Sequence, residues 1–201
     1  MLEIKPSSIP NAGLGVWSTE FIAQGTFVTE YYGEYLSRDQ YELWLYDLKS
    51  DSPSAESLNR LPRMTYVQSD LSGIAVIGDP TMHDISRCGQ FINDSCTLSD
   101  FCSTASKAMS EEVENYTKSS TLQASVGLLL ENDSLNLYAI RDIPKGEELF
   151  QSYGFYYWSY HQSIDLPKSI TMTLLHKTIG ADIRAKKLLQ QEPKPTQHLH
   201  E

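Results

Sequence analysis

The sequence has few cysteines, little positive charge and no long apolar run. Its three cysteines, Cys88, Cys96 and Cys102, form no CxxC pair and no Cys/His quartet, which excludes the common structural zinc sites. Such an odd, scattered set of thiols predicts a reducing compartment. No stretch of about 18 apolar residues is present, and the N-terminal residues have no apolar signal core. We therefore expect a soluble, intracellular protein that binds no metal and does not associate with a membrane.

Positive charge is scarce relative to negative charge. Acidic residues outnumber basic ones by 26 to 16, which gives a formal net charge of −10. Because the affinity of proteins for DNA comes largely from Lys and Arg, this balance disfavours direct binding of nucleic acid and suits a basic protein or peptide as the partner. An acidic surface that only keeps the protein soluble explains the charge equally well, so composition leaves both interpretations open.

The apolar segments are short and separated by turn residues, since the chain has 11 Gly and 9 Pro. This pattern predicts a mainly β protein, of β+α class, rather than a helical bundle. Strands are expected at two or three places within 14–36, over 64–70 and 73–78, and over 123–130 and 135–143, the last two joined at a turn of Asn132 and Asp133. A short helix is expected over 37–49, with Ser37 as its N-cap.

The remaining segments define the expected domain organisation. Residues 50–62 are polar and bounded by proline, which predicts a loop, and residues 97–120 are polar and weakly periodic, which predicts an insertion. An amphipathic C-terminal helix within 165–190 is predicted from the helical spacing of Ile170, Leu174, Leu175, Ile179 and Ile183. We expect a domain over 1–158 with inserted regions at about 37–65 and 97–120, a helical extension over 159–190 and a disordered tail over 191–201.

Four motifs stand out, and each alone has an ordinary structural explanation. Gly13 and Gly15 flank one residue before a predicted strand; without Cβ atoms their backbone can approach a ligand closely, although a tight turn is the commoner reason for such a pair. The other motifs are EYYGE at 30–34, GQFINDSC at 89–96, and RDIPKGEEL at 141–149, which leads into Tyr153. Five of the six residues in 153–158 are aromatic, and they form either an ordinary core or the wall of a channel for an aliphatic amine.

In this order, the four motifs resemble those of the SET-domain lysine methyltransferases, which read GxG, EYxGE, RFxNHSC and AxRDIxxGEELxxxY. The resemblance extends over residues 9–158, and the last motif, 139–153, agrees at nearly every defining position. It implies a SET-domain fold of several small sheets of short strands, with a knot-like C-terminal segment and, in this chain, a C-terminal helix. It also implies transfer of a methyl group from S-adenosylmethionine to a lysine side chain.

The resemblance further implies the residues of the site. The cofactor is expected to contact Ala12, Gly13, Leu14, Gly15, Asn93, Asp94 and Trp158. Tyr153 is implied as the catalytic residue, placed between the cofactor methyl and the lysine nitrogen. Tyr31 is implied as a second catalytic residue that also lines the lysine channel, together with Phe155.

The chain departs from the family pattern at two positions of the third motif. Asp94 stands where the family has His, and Gln90 stands where it has Arg, a position concerned with local structure. The Cys-rich zinc segments that flank many SET domains are also lacking, so the helix over 165–190 is expected to close the site. A histone tail is the favoured substrate, and of the two expected locations, nucleus and cytoplasm, the family resemblance favours the nucleus slightly. A non-histone substrate, or an inactive SET-like binding module, remains an alternative.

Overall fold

The computed structural model describes residues 1–48, 50–60, 67–69, 75–97, 100–101, 110–131, 134–154 and 157–158. Within them the chain forms short strands in small antiparallel sheets, with few helices. The strands are β1 (Leu2–Pro6), β2 (Leu14–Ser18), β3 (Phe27–Glu30), β4 (Gly33–Leu36), β5 (Val67–Ser69), β6 (Ala75–Gly78), β7 (Val126–Glu131) and β8 (Ser134–Ala139). The helices are α1 (Arg38–Leu48), α2 (Ala55–Arg60) and α3 (Ser110–Gln123). The predicted fold class is therefore confirmed.

The strands form three sheets, of which the first is the pair β1–β2. The second has the order β3-β8-β7, and the third has the order β4-β6-β5. The central strand β8 buries every second residue, Leu135, Leu137 and Ala139, as expected for a strand with one face on the core. The central strand β6 is buried along its whole length, so that it lies inside the molecule.

The predicted helix over 37–49 is confirmed as α1, and its N-terminus has the expected cap. The Gln40 amide donates to Ser37 Oγ at 3.3 Å, and the Ser37 amide donates to Gln40 Oε1 at 2.8 Å. This reciprocal pair is a capping box, which satisfies two amides at the start of the helix. The buried Trp44 fixes α1 to α2, since its Nε1 donates to the Ser57 carbonyl at 3.2 Å.

Among the strands and α-helices named above, three lie where the sequence predicted none. β1 precedes the first predicted strand, α2 lies within the predicted loop over 50–62, and α3 occupies much of the predicted insertion over 97–120. Since α3 extends to Gln123, β7 begins at Val126 rather than at 123. The inward face of α3 consists of Val113, Tyr116 and Ser120, all fully buried. The spacing of these residues is helical, but a serine in the series weakens the apolar periodicity.

The C-terminal segment that the sequence predicted to be knot-like is described as far as Gly154, and Tyr157 and Trp158 are also described. Leu149 donates to the Val16 carbonyl at 2.8 Å, and both Ser125 and Val126 donate to the Phe150 carbonyl. This segment therefore lies between β2 and the start of β7. The predicted helical extension over 159–190 and the predicted tail over 191–201 lie outside the described residues. In the described ranges, no helix is long and apolar enough to cross a membrane.

Candidate functional site

The first motif forms a closed turn between β1 and β2. The Ser7 amide donates to the Gly13 carbonyl at 2.9 Å, and the Ala12 amide donates to the Ile9 carbonyl at 3.2 Å. Gly13 has φ +77°, and among the described residues beyond its two chain neighbours no atom lies within 4 Å of the position that a Cβ would take there. Gly13 is therefore required by backbone conformation, and it leaves open space beside the turn.

Gly15 is required for a different reason, which the sequence did not reveal. A Cβ at Gly15 would lie 2.2 Å from Oε1 of Glu148, whose side chain is only 3% exposed. That carboxylate accepts hydrogen bonds from Ser7 Oγ at 2.6 Å, from the Ser8 amide at 2.7 Å and from Ser8 Oγ at 2.5 Å. The missing side chain at Gly15 thus makes room for a buried carboxylate that fixes the turn.

The third motif lies beside the first. Asn93 Nδ2 donates to the Leu14 carbonyl at 2.9 Å, in the middle of the GxG segment. The backbone of Asn93 forms a parallel bridge with Phe150, and its carbonyl accepts from the Gln151 amide at 3.0 Å. One residue therefore connects the GxG turn to the segment that leads into Tyr153.

Tyr153 contacts the third motif through both its backbone and its side chain. Its hydroxyl donates to the Ile92 carbonyl at 3.0 Å, and its amide donates to Asp94 Oδ2 at 3.0 Å. Because the hydroxyl proton is directed to Ile92, the phenol oxygen faces any further group as an acceptor. Three of the four motifs thus meet at residues 92–94.

The buried carboxylate of Asp94 accepts hydrogen bonds from three parts of the chain. The donors are Tyr116 Oη at 2.6 Å, Ser120 Oγ at 2.7 Å, the Tyr153 amide at 3.0 Å, Trp158 Nε1 at 3.1 Å and the Cys96 amide at 3.4 Å. We call Asp94, Tyr116, Ser120, Tyr153 and Trp158 the Asp94 cluster. Both Tyr116 and Ser120 lie on α3, so this helix is joined directly to the candidate site.

Two neighbouring groups have raised pKa values. Burial, followed by the negative charge of Asp94, raises the pKa of Tyr116 far above its ordinary value, so its hydroxyl remains a donor. Burial is also the largest cause at Cys96, followed by the charge of Asp94, and together they raise the pKa of this thiol to about 11. Both residues are therefore neutral near pH 7.

Two aromatic rings contact the ring of Tyr153, the candidate catalytic residue. The rings of Tyr153 and Trp158 are stacked with centroids 5.7 Å apart, and the Tyr157 ring lies edge-on to Tyr153 at 4.6 Å. All three side chains are half-buried. The aromatic density at 153–158 therefore forms, at least in these residues, a partly open cluster rather than a sealed core.

The remaining predicted site residues have different surroundings. Tyr31 is 3% exposed and belongs to the main hydrophobic core, with its amide donating to the Leu135 carbonyl at 2.7 Å. Its assignment to catalysis and to the lysine channel stays a prediction, and Phe155 lies outside the described residues. Gln90 is buried, and its Nε2 donates at 3.0 Å to the carbonyls of both Asp79 and Met82. This residue therefore fixes a local turn.

Sequence reasoning missed the residues that hold the site together. Glu148 lies in the motif RDIPKGEEL without a predicted role, and Tyr116 and Ser120 lie in the predicted insertion over 97–120. The buried series Val113, Tyr116 and Ser120, at intervals of three and four residues, was the available signal. Among the residues that the structure describes, no group of three or more His, Cys, Asp or Glu is arranged to hold a metal ion.

The sequence pattern of the SET domain matches residues 13–154. No curated protein matches the chain. A solved structure of ctPRC2 in complex with H3K27me3 and H3K27M is similar, with a TM-score of 0.44 and 21% identity. That similarity covers 77% of this chain and 14% of the other. From the match over 13–154, the chain belongs to the SET domain family, whose members are generally lysine methyltransferases that use S-adenosylmethionine.

Proposed function

We propose that the protein is an S-adenosylmethionine-dependent protein lysine N-methyltransferase in which Tyr153 is the catalytic residue. The observation that carries the proposal is the meeting of three motifs at residues 92–94. Asn93 contacts Leu14 of the GxG turn, and its two neighbours contact Tyr153. Such an arrangement brings a backbone turn and a tyrosine hydroxyl to one short segment, as a two-substrate site requires.

The residues at this segment fit the cofactor. The open space at Gly13 allows a ligand to approach the backbone of 12–15, and the half-buried Trp158 offers an aromatic face. S-adenosylmethionine would be held by 12–15, Asn93 and Trp158, and when bound it supplies a methyl group already activated by a sulfonium. The Asp94 carboxylate is engaged by donors of the protein, so its contribution to binding is through its backbone.

Tyr153 would orient the substrate amine. Since its hydroxyl donates to the Ile92 carbonyl, its oxygen accepts an N–H from the incoming amine and directs the nitrogen lone pair. A fixed acceptor of this kind needs no reorganisation during the reaction, so removing it lowers turnover more than binding.

The substrate amine must be neutral to react, whereas a free lysine has a pKa of about 10.4. Entry beside the rings of Tyr153 and Tyr157 removes water from the ammonium and lowers its pKa. The ring faces also attract the cation before it loses its proton. The chain's own residues thus bind, desolvate and orient the amine.

The proposed substrate is a basic peptide segment, with a histone tail favoured. The net charge of −10 supports a basic partner, because opposite charge increases the rate of encounter. A basic non-histone protein has the same chemistry, and a nuclear location follows only if the substrate is a histone.

A binding module without activity is the second candidate. The replacement of the family His by Asp94, whose carboxylate is held by five donors of the protein, favours it. Incubation with labelled S-adenosylmethionine, histones and a mixture of host-cell proteins distinguishes the two. Transfer of label to lysine supports the enzyme, whereas cofactor or peptide binding without transfer supports the module.

A further inference from the structure

We infer that α3 positions the residues of the site. Its residues Tyr116 and Ser120 bind the carboxylate of Asp94, and Asp94 in turn holds the catalytic Tyr153 and the aromatic Trp158 in place. This inference rests on the proposed function, and it assigns Asp94, Tyr116 and Ser120 as positioning residues. The segment that contains α3 interrupts the family motifs, between the third motif and the fourth.

The Asp94 cluster divides its donors between two oxygens. Oδ2 accepts from Tyr116 Oη at 2.6 Å, from the Tyr153 amide at 3.0 Å and from Trp158 Nε1 at 3.1 Å. The hydroxyl of α3, the backbone of the catalytic residue and the indole therefore share one acceptor atom. A movement of that atom changes the positions of both site residues.

The second oxygen is fixed by α3 as well. Oδ1 accepts from Ser120 Oγ at 2.7 Å, and Ser120 Oγ lies 2.7 Å from Ser152 Oγ, next to the catalytic residue in the chain. Since Tyr116 and Ser120 hold different oxygens, they fix the rotation of the carboxylate as well as its place. The cluster thus contacts the side chain of Ser152 and the backbone amide of Tyr153, which are consecutive in the chain.

Because the Asp94 cluster is buried, its geometry depends on every hydrogen bond to the carboxylate. Tyr116 and Ser120 have no exposed surface, and Asp94 is 4% exposed. A buried carboxylate must be compensated by hydrogen bonds, so each donor that is removed leaves the charge less well satisfied. An ionised carboxylate has about four acceptor positions, whereas an amide oxygen has two, which accounts for Asp rather than Asn at a position with this many donors.

The test uses two variants of α3, Tyr116→Phe and Ser120→Ala, in the full chain. Tyr138→Phe is the matched control for the first, because Tyr138 donates to Glu131 in the sheet of β7 and β8. Thr117→Val is the matched control for the second, because Thr117 Oγ1 donates to the Val113 carbonyl of the same helix. Neither of these two hydrogen bonds joins its control residue to the Asp94 cluster.

The first measurement is hydrogen exchange by NMR in the cofactor-free protein, followed at the Tyr153 amide and the Trp158 indole. Exchange at both sites should be roughly tenfold faster in the two α3 variants, which corresponds to the loss of one supporting hydrogen bond, and unchanged in the controls. The Trp44 indole, which donates to the Ser57 carbonyl, reports general loss of stability and should not change.

The second measurement is steady-state kinetics with S-adenosylmethionine and a histone peptide. kcat should fall by about tenfold in both α3 variants, as expected when one hydrogen bond that positions the catalytic residue is lost, with a smaller change in the peptide KM. The inference is overturned if exchange at Tyr153 and Trp158 is unaltered, if Trp44 exchange rises equally, or if exchange rises without any loss of kcat. If the wild-type protein transfers no methyl group, the proposed function fails. In that case, faster exchange at Tyr153 and Trp158 in the α3 variants, with no change at Trp44, would still establish that the helix positions these two residues.

Discussion

The Tyr153 amide donates a hydrogen bond of 3.0 Å to the carboxylate of Asp94, 59 residues earlier in the chain. In the family pattern that position is a histidine, which has at most one acceptor nitrogen when neutral. The aspartate instead accepts from Tyr153, Trp158 and two residues of α3. The departure from the motif is therefore matched by a helix that supplies the additional donors.

Gly15→Ala should destabilise the fold, because its Cβ would lie 2.2 Å from Glu148 Oε1. The expected loss is about 1–3 kcal/mol in the free energy of unfolding, typical of overpacking. Glu148→Ala should also destabilise, since Ser7 and Ser8 lose their acceptor. The double variant should lose less than the sum of the two, because the clash is gone. Urea unfolding measures the free energy of unfolding of all three variants. Strictly additive losses would contradict the close contact between residue 15 and Glu148.

Gln90→Leu should lower the free energy of unfolding by about 1–3 kcal/mol, since two hydrogen bonds of about 0.5–1.5 kcal/mol each are lost. Those bonds join Gln90 to the carbonyls of Asp79 and Met82. Gln24→Leu is a control, because Gln24 donates to the Ile140 carbonyl at an exposed site. Thermal unfolding compares the stability of the two variants. An equal loss of stability in both would refute a structural role for the buried Gln90 amide.

Cys96 should resist alkylation at neutral pH in the folded protein. Its pKa is raised to about 11, chiefly by burial and then by the charge of Asp94, against an ordinary value of 9.0. Because the thiolate is the nucleophile, the alkylation rate should rise with pH through about 11 rather than 9. Iodoacetamide labelling followed by peptide mass spectrometry gives the profile, with unfolded protein as the control.

The same raised pKa sets the sign of the effect on stability. The folded state holds the Cys96 proton more tightly than the unfolded state does, so this contribution is fully present below pH 9 and is lost as pH rises through about 11. A labelling profile for the folded protein centred near 9 would show that the thiol is not shielded as the structure indicates.

The sequence predicted the fold class and the motifs because these depend on local patterns. Short apolar runs between turns indicated a mainly β protein, the family resemblance implied the small sheets, and Ser37 indicated the N-cap of α1. Tyr116 and Ser120 could not be connected to Asp94 in this way, because they contact it across 22 and 26 residues. Likewise, nothing local at Gly15 indicates that Glu148 fills the space beside it. Contacts between polar residues far apart in sequence leave no periodic pattern.

The measurement that tests the central claim most directly is transfer of a labelled methyl group from S-adenosylmethionine to a histone peptide, by the wild-type protein and by Tyr153→Phe. The wild-type protein should label lysine. The variant lacks the hydroxyl that donates to Ile92, and it should lose about 100-fold or more in kcat with little change in cofactor binding. Full activity of Tyr153→Phe, or no transfer by the wild-type protein to any lysine in histones or host-cell proteins, would contradict the account.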